Sequence, residues 1–142
     1  MVKKVEQSAW RKAANTDRWT EILFRALSSR VAKRWRFVSF RGTAGGEWRG
    51  IVDVLAIRKD TSRSDHALLK SGDLFDIVLV QMKGGSAKGP SVGDIDRLRT
   101  VAKHYRTKEI VLFSWNRGRR TKFQKLGRGA KWMDSSAQAL FG

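Results

Sequence analysis

IVDVLAI at residues 51–57 and FDIVLVQMK at residues 75–83 decide the fold class of this chain. Both are near-continuous apolar runs rich in β-branched residues, the pattern of strands buried on two faces. Upstream, WRFVSFR at 35–41 alternates and is rich in aromatic and β-branched residues, which predicts another strand. GTAGGEWRG at 42–50 is a glycine-rich connection, and the polar stretch 58–74 reads as a hairpin loop. Asp17 can cap a helix over about 17–33, with Trp19, Ile22, Leu23, Ala26, Leu27 and Val31 at helical spacing. Downstream, GGSAKGP at 84–90 is flexible by composition. Ser91 can cap a second helix running to about Tyr105, with Val92, Ile95, Leu98, Val101, Ala102 and Tyr105 on its apolar stripe. EIVLFSW at 109–115 is a further strand. The order helix, three strands, helix, strand predicts a mixed α/β domain with a small central sheet flanked by helices.

Composition narrows the chemistry. The 142 residues suit one domain, and a chain of about this size buries roughly 70% of its unfolded surface. With 41% hydrophobic content, wholesale disorder is excluded. The absence of Cys removes disulfides, thiolate nucleophiles and Cys-ligated zinc together. His66 and His104, the two imidazoles, are 38 positions apart and argue against a His-rich zinc site or a Ser-His-Asp hydrolase. Apolar runs such as 77–80 and 110–113 are four residues long, too short to span a membrane. Lys3 and Lys4 are followed by no apolar stretch, so no secretory signal is read and a cytoplasmic location is expected.

Thirty Lys and Arg against 13 Asp and Glu give a net charge of +17 and a pI near 11.3. Such a surplus repels itself unless a polyanion neutralises it, and nucleic acid gains affinity through counterion release. No acid lies between Glu109 and Asp134, while Arg117, Arg119, Arg120, Lys122, Lys125, Arg128 and Lys131 all do. Trp115, Phe123, Leu126 and Trp132 interleave apolar anchors with these charges, which points to an ordered basic surface over 116–142 rather than a solvated tail. Gly118, Gly127 and Gly129 argue against a basic amphipathic membrane helix there.

A charge inside a buried strand is costly unless paired, so Asp53 within IVDVLAI requires a partner or a task. Neighbouring backbone or an Arg could satisfy it. Gln81 and Lys83 are two residues apart, so strand periodicity points both to one face with Cβ atoms roughly 7 Å apart. By the same parity Asp76 faces the other way with Val78, Val80 and Met82. An Asp carboxylate, an amide carbonyl and a strand-end main-chain carbonyl are the hard oxygen ligands that Mg²⁺ prefers. A lysine beside them could orient a water or stabilise charge developing on a phosphate, which together suits metal-assisted phosphodiester hydrolysis.

Glu21 in the first helix, Asp53 in the second strand and Gln81-Met82-Lys83 at the end of the third resemble the E…D…(E/Q)xK signature of the PD-(D/E)xK nuclease superfamily. WTEILFRAL, FVSFRGTAGG and GIVDVLAI, continued by SVGDIDRLRTVAKHY and EIVLFSW, are most similar in arrangement to its archaeal-type Holliday junction resolvases, over about residues 16–115. The resemblance implies a restriction-endonuclease-like fold for a single domain 1–142 and a Mg²⁺-dependent DNA endonuclease, with Mn²⁺ as a substitute, acting on branched or structured DNA in recombination or repair. Its implied catalytic set is Glu21, Asp53, Gln81 and Lys83. Asp53, Gln81, the Met82 carbonyl and, through water, Glu21 would face the metal. It also implies a two-fold homodimer.

Gln81 stands where most members carry Glu, and a neutral ligand holds Mg²⁺ more weakly. The segment 58–74 is longer than a tight hairpin. Glu21 lies about 160° from the Trp19, Leu23 and Ala26 centre of the apolar stripe, the position of an ordinary solvated Glu. Candidate DNA contacts are Arg41 at the end of the WRFVSFR strand, Thr43 and Trp48 in the glycine-rich connection, Lys88 in the flexible segment, and Arg117, Arg119, Arg120 and Lys122; Ser39 is a further hydroxyl candidate for the scissile phosphate. The six Trp are expected mostly in the core, with Trp48 in the glycine-rich connection the candidate to stack on a base. Two alternatives stay open: a non-catalytic nucleic-acid-binding module on a nuclease scaffold, and a restriction- or transposon-type endonuclease.

Overall fold

The computed structural model describes residues 18–40, 50–62, 65–84, 89–115 and 120–142. Helix α1 runs over 18–31 and is followed by strands β1 (Arg36–Ser39), β2 (Val54–Asp60) and β3 (Leu74–Gly84). Helix α2 (Val92–Tyr105), strands β4 (Glu109–Trp115), β5 (Lys122–Leu126) and β6 (Trp132–Ser135), and helix α3 (Ala137–Phe141) complete the chain. The strands form one mixed sheet in the order β1-β2-β3-β4-β5-β6. Only the β3–β4 pair is parallel, because α2 carries the chain back across the sheet between them. Ser91 starts that helix with a capping box: its Oγ accepts the Asp94 N–H at 3.1 Å, and Asp94 Oδ2 accepts the Ser91 N–H at 3.0 Å.

Strand alternation divides the core. Val54, Ala56, Val78, Val80, Met82, Val111, Phe113 and Phe123 face α1 and α3, where Phe24 and Phe141 are fully buried. Leu79 and Ile110 face α2 and pack with Leu98. No helix among the described residues is long and apolar enough to cross a membrane.

Three expectations are corrected. The sheet extends beyond β4: residues 122–142 supply two strands and a helix whose Phe123 and Phe141 join the core that was expected to end near residue 115. The stretch 58–74 is hairpin loop only in part, since β2 continues to Asp60 and β3 begins at Leu74, with Arg58 paired to Asp76 in register. The buried face of α1 is centred on Thr20, Phe24 and Ser28, all 0% exposed, whereas Trp19 and Ile22 stand in solvent at 55% and 47%. The cluster of Phe37, Phe113, Phe123 and Phe141 rings around Phe24 selects that face. Glu21 therefore lies about 60° from the centre of the buried face at 100° per residue, at its margin rather than opposite it.

Candidate active site

Asp53 sits one residue before β2, where the ladder to β3 changes step. Val54 is the register partner of Val80, yet the Asp53 N–H also reaches the Val80 carbonyl, at 3.0 Å. The Asp53 carbonyl accepts the Phe40 N–H at 3.0 Å, tying this residue to the end of β1. Its carboxylate then takes the place of a ladder partner: Oδ2 accepts the Met82 N–H at 2.8 Å. Of the two tasks open to this acid, pairing with neighbouring backbone is thus realised. A carboxylate has about four acceptor positions, of which the Met82 N–H occupies one. In an extended strand the N–H and C=O of one residue point to the same flank, so the Met82 carbonyl is directed toward the Asp53 side as well.

Gln81 and Lys83 alternate with Val80 and Met82 and so face the α2 side of β3. Gln81 Oε1 is buried without a hydrogen-bond partner. Leaving a buried amide oxygen unsatisfied costs about 1–3 kcal/mol, so the position is suited to an electropositive partner. Lys83, partly buried, is in register with Ser114 of β4, which is in register with Lys122 of β5. The row Lys83, Ser114, Lys122 places two ammonium-bearing residues two strand spacings, roughly 10 Å, apart at one end of the sheet. Ser114 was not singled out from the sequence; its signal is that β3 and β4 are parallel and end together.

Asp76 faces the α1 side, as parity predicts, and is neutralised there by Arg58 Nε at 3.0 Å, with the Arg58 guanidinium 4.5 Å over the Trp35 ring. Glu21 makes its ion pair along its own helix, with Arg25 Nε at 3.3 Å, and its side chain is 20% exposed. Helix α1 covers the Met82 face of the sheet, opposite to that of Gln81 and Lys83. Arg120 and Lys122 are exposed, and Lys122 Nζ lies 3.6 Å from Asp134. Arg41, Thr43, Trp48, Lys88, Arg117 and Arg119 lie outside the described residues.

Among the described residues no three His, Cys, Asp or Glu side chains converge as a metal-holding group. The candidate set is of another composition, one carboxylate with an amide and a main-chain carbonyl, and the unpartnered Gln81 oxygen fits a hard cation. Two clefts among the described residues, one between α2 and the β5–β6 turn and one between α1, β5 and α3, are lined by none of Asp53, Gln81 and Lys83. No family model, no curated protein and no solved structure matches the chain.

Proposed function

We propose that the chain is a divalent-metal-dependent DNA endonuclease with a restriction-endonuclease-like core. The observation that carries this reading is the Asp53–Met82 contact, which joins the Asp53 carboxylate to the strand bearing Gln81 and Lys83. The net charge of +17 supports a polyanionic partner, and the resemblance in sequence makes branched DNA the substrate class.

Asp53, Gln81 Oε1 and the Met82 carbonyl would hold Mg²⁺ or Mn²⁺. The bound cation supplies Lewis-acid polarisation of the phosphoryl group. Asp53 is kept from rotating by the Met82 N–H, so its charge stays fixed at the strand end. Lys83 donates to the attacking water or to a phosphate oxygen, offsetting negative charge as it builds. A two-fold dimer, implied by the resemblance, would present two such ends to two strands.

The test is cleavage of four-way junction, flap, nicked and linear duplex DNA with Mg²⁺ and with Mn²⁺, by the wild-type chain and by Asp53→Asn. Divalent-dependent cutting that disappears in Asp53→Asn, with DNA binding retained, is the expected result. Binding without cutting of any substrate would leave the non-catalytic module as the function.

A further inference from the structure

The sheet end opposite Asp53 carries a second basic feature. A cleft of about 480 Å³ opens between the C-terminal half of α2, the turn into β4, and the β5–β6 turn. Arg99, Lys108 and Arg128 line it against a single carboxylate, Glu109. Glu109 begins β4 and Ser114, beside Lys83, lies five residues further along, so the cleft is roughly 17 Å from the candidate catalytic row.

Arg99 is held in place. Its Nη2 donates to the Gly127 carbonyl at 2.8 Å and to the Gly129 carbonyl. The turn that offers these carbonyls has Gly129 at φ +65°, a conformation that favours glycine. With Nη2 occupied, the guanidinium keeps its Nε and Nη1 donors in a fixed orientation. Thr107, in the same wall, has a buried Oγ1 with no hydrogen-bond partner. A phosphate oxygen in the cleft would meet three cations without removing any bond already made.

We propose that this cleft is a second phosphate-binding site, for a backbone phosphodiester of nucleic acid, set apart from the catalytic end so that one bound DNA is gripped at both ends of the sheet. The inference rests on the nucleic-acid reading given above. The charges of Arg99, Lys108 and Arg128 suit a phosphate oxyanion, and the +17 charge of the chain favours a polymer over a free phosphate.

The test uses the full chain with Lys108→Gln plus Arg128→Gln, compared with Lys33→Gln plus Lys70→Gln, a pair of exposed lysines outside the cleft. Binding to a duplex of about 20 bp is followed by fluorescence anisotropy over a salt series. The cleft pair is expected to flatten the slope of log K against log salt by up to about 1.8, two lost contacts at about 0.9 each, and the comparison pair by clearly less. Equal slopes for the two double variants would overturn the cleft and leave the nuclease reading standing. Failure of the wild-type chain to bind any DNA would overturn both. Inorganic phosphate is titrated separately by amide NMR; tight saturation at Thr107, Lys108 and Arg128, with DNA affinity unaffected, would assign the cleft to a small phosphate and also overturn the proposal.

Discussion

The Asp53 carboxylate accepts the main-chain N–H of Met82 at 2.8 Å, a bond between residues 29 positions apart. It closes the β2–β3 ladder with a side chain where the backbone has fallen out of step. The acid proposed as a metal ligand is therefore also a structural tie at the sheet end. Replacing it by Asn preserves an acceptor for Met82 while removing the charge, which is why that variant separates folding from chemistry.

Lys83→Ala is expected to slow cleavage by 10-fold or more, on the order of the effect of one electrostatic donor at a reacting phosphate. DNA affinity should change far less, because one ammonium among 30 basic residues contributes little to total phosphate binding. Single-turnover cleavage at saturating DNA, set beside anisotropy binding, makes the comparison. A loss confined to affinity would remove Lys83 from the chemistry.

Gln81→Glu is expected to lower the Mg²⁺ concentration for half-maximal cleavage, since a full negative charge would stand where a buried, unpartnered amide oxygen now lies. Titration of Mg²⁺ against cleavage at fixed DNA reads this directly. A midpoint that stays or rises would mean that Gln81 does not face the metal.

Phe141→Ala should destabilise the fold by about 3–5 kcal/mol. Phe141 is fully buried, its ring meets those of Phe24, Trp35 and Phe37, and its carbonyl accepts the Lys33 N–H at 3.1 Å. Denaturant unfolding measures the change. A loss below about 1 kcal/mol would show the C-terminal segment to be an appendage.

Asp60, at the far end of β2, is held below the ordinary carboxylate value, first by the Ser62 hydroxyl and next by the Ser62 N–H. A carboxyl depressed on folding stabilises the protein above its ordinary pKa, and that contribution is lost as pH falls through the lowered value. Ser62→Ala should move the Asp60 titration upward toward, without reaching, its ordinary value, because the N–H donor remains. Carboxyl ¹³C shifts against pH follow it, and an unmoved midpoint would assign the depression to another group.

Local pattern carried much of this architecture. The Ser91 cap and the apolar spacing after it marked α2 to about Tyr105, where it ends, and EIVLFSW is β4 without adjustment, because caps and short apolar runs are decided by neighbours in sequence. FDIVLVQMK lacks one residue of β3 at each end. The basic KFQKL of β5 carries too little apolar signal to be read as a strand by itself. It becomes one through pairing with the exposed flank of β4, where Phe123 meets Phe113. The buried face of α1 was misread for a related reason: apolar residues occur around much of that helix, and which of them is covered depends on aromatic rings contributed by β1, β4, β5 and α3.

By itself the sequence determined the α/β class, the surplus of 17 positive charges, the absence of thiol chemistry, and the pairing of Gln81 with Lys83 on one strand face. Those properties follow from composition and from a two-residue period, neither of which depends on distant partners. Tertiary structure alone decided that Asp53 stands just outside its strand and accepts the Met82 N–H, that Lys83, Ser114 and Lys122 share a row, and that Arg99 is anchored through Nη2 to the turn at Gly127 and Gly129. Each of these joins residues far apart in the chain, and strand register, which sets them, arises from the packing of whole faces against α1 and α2 rather than from any local run of residues.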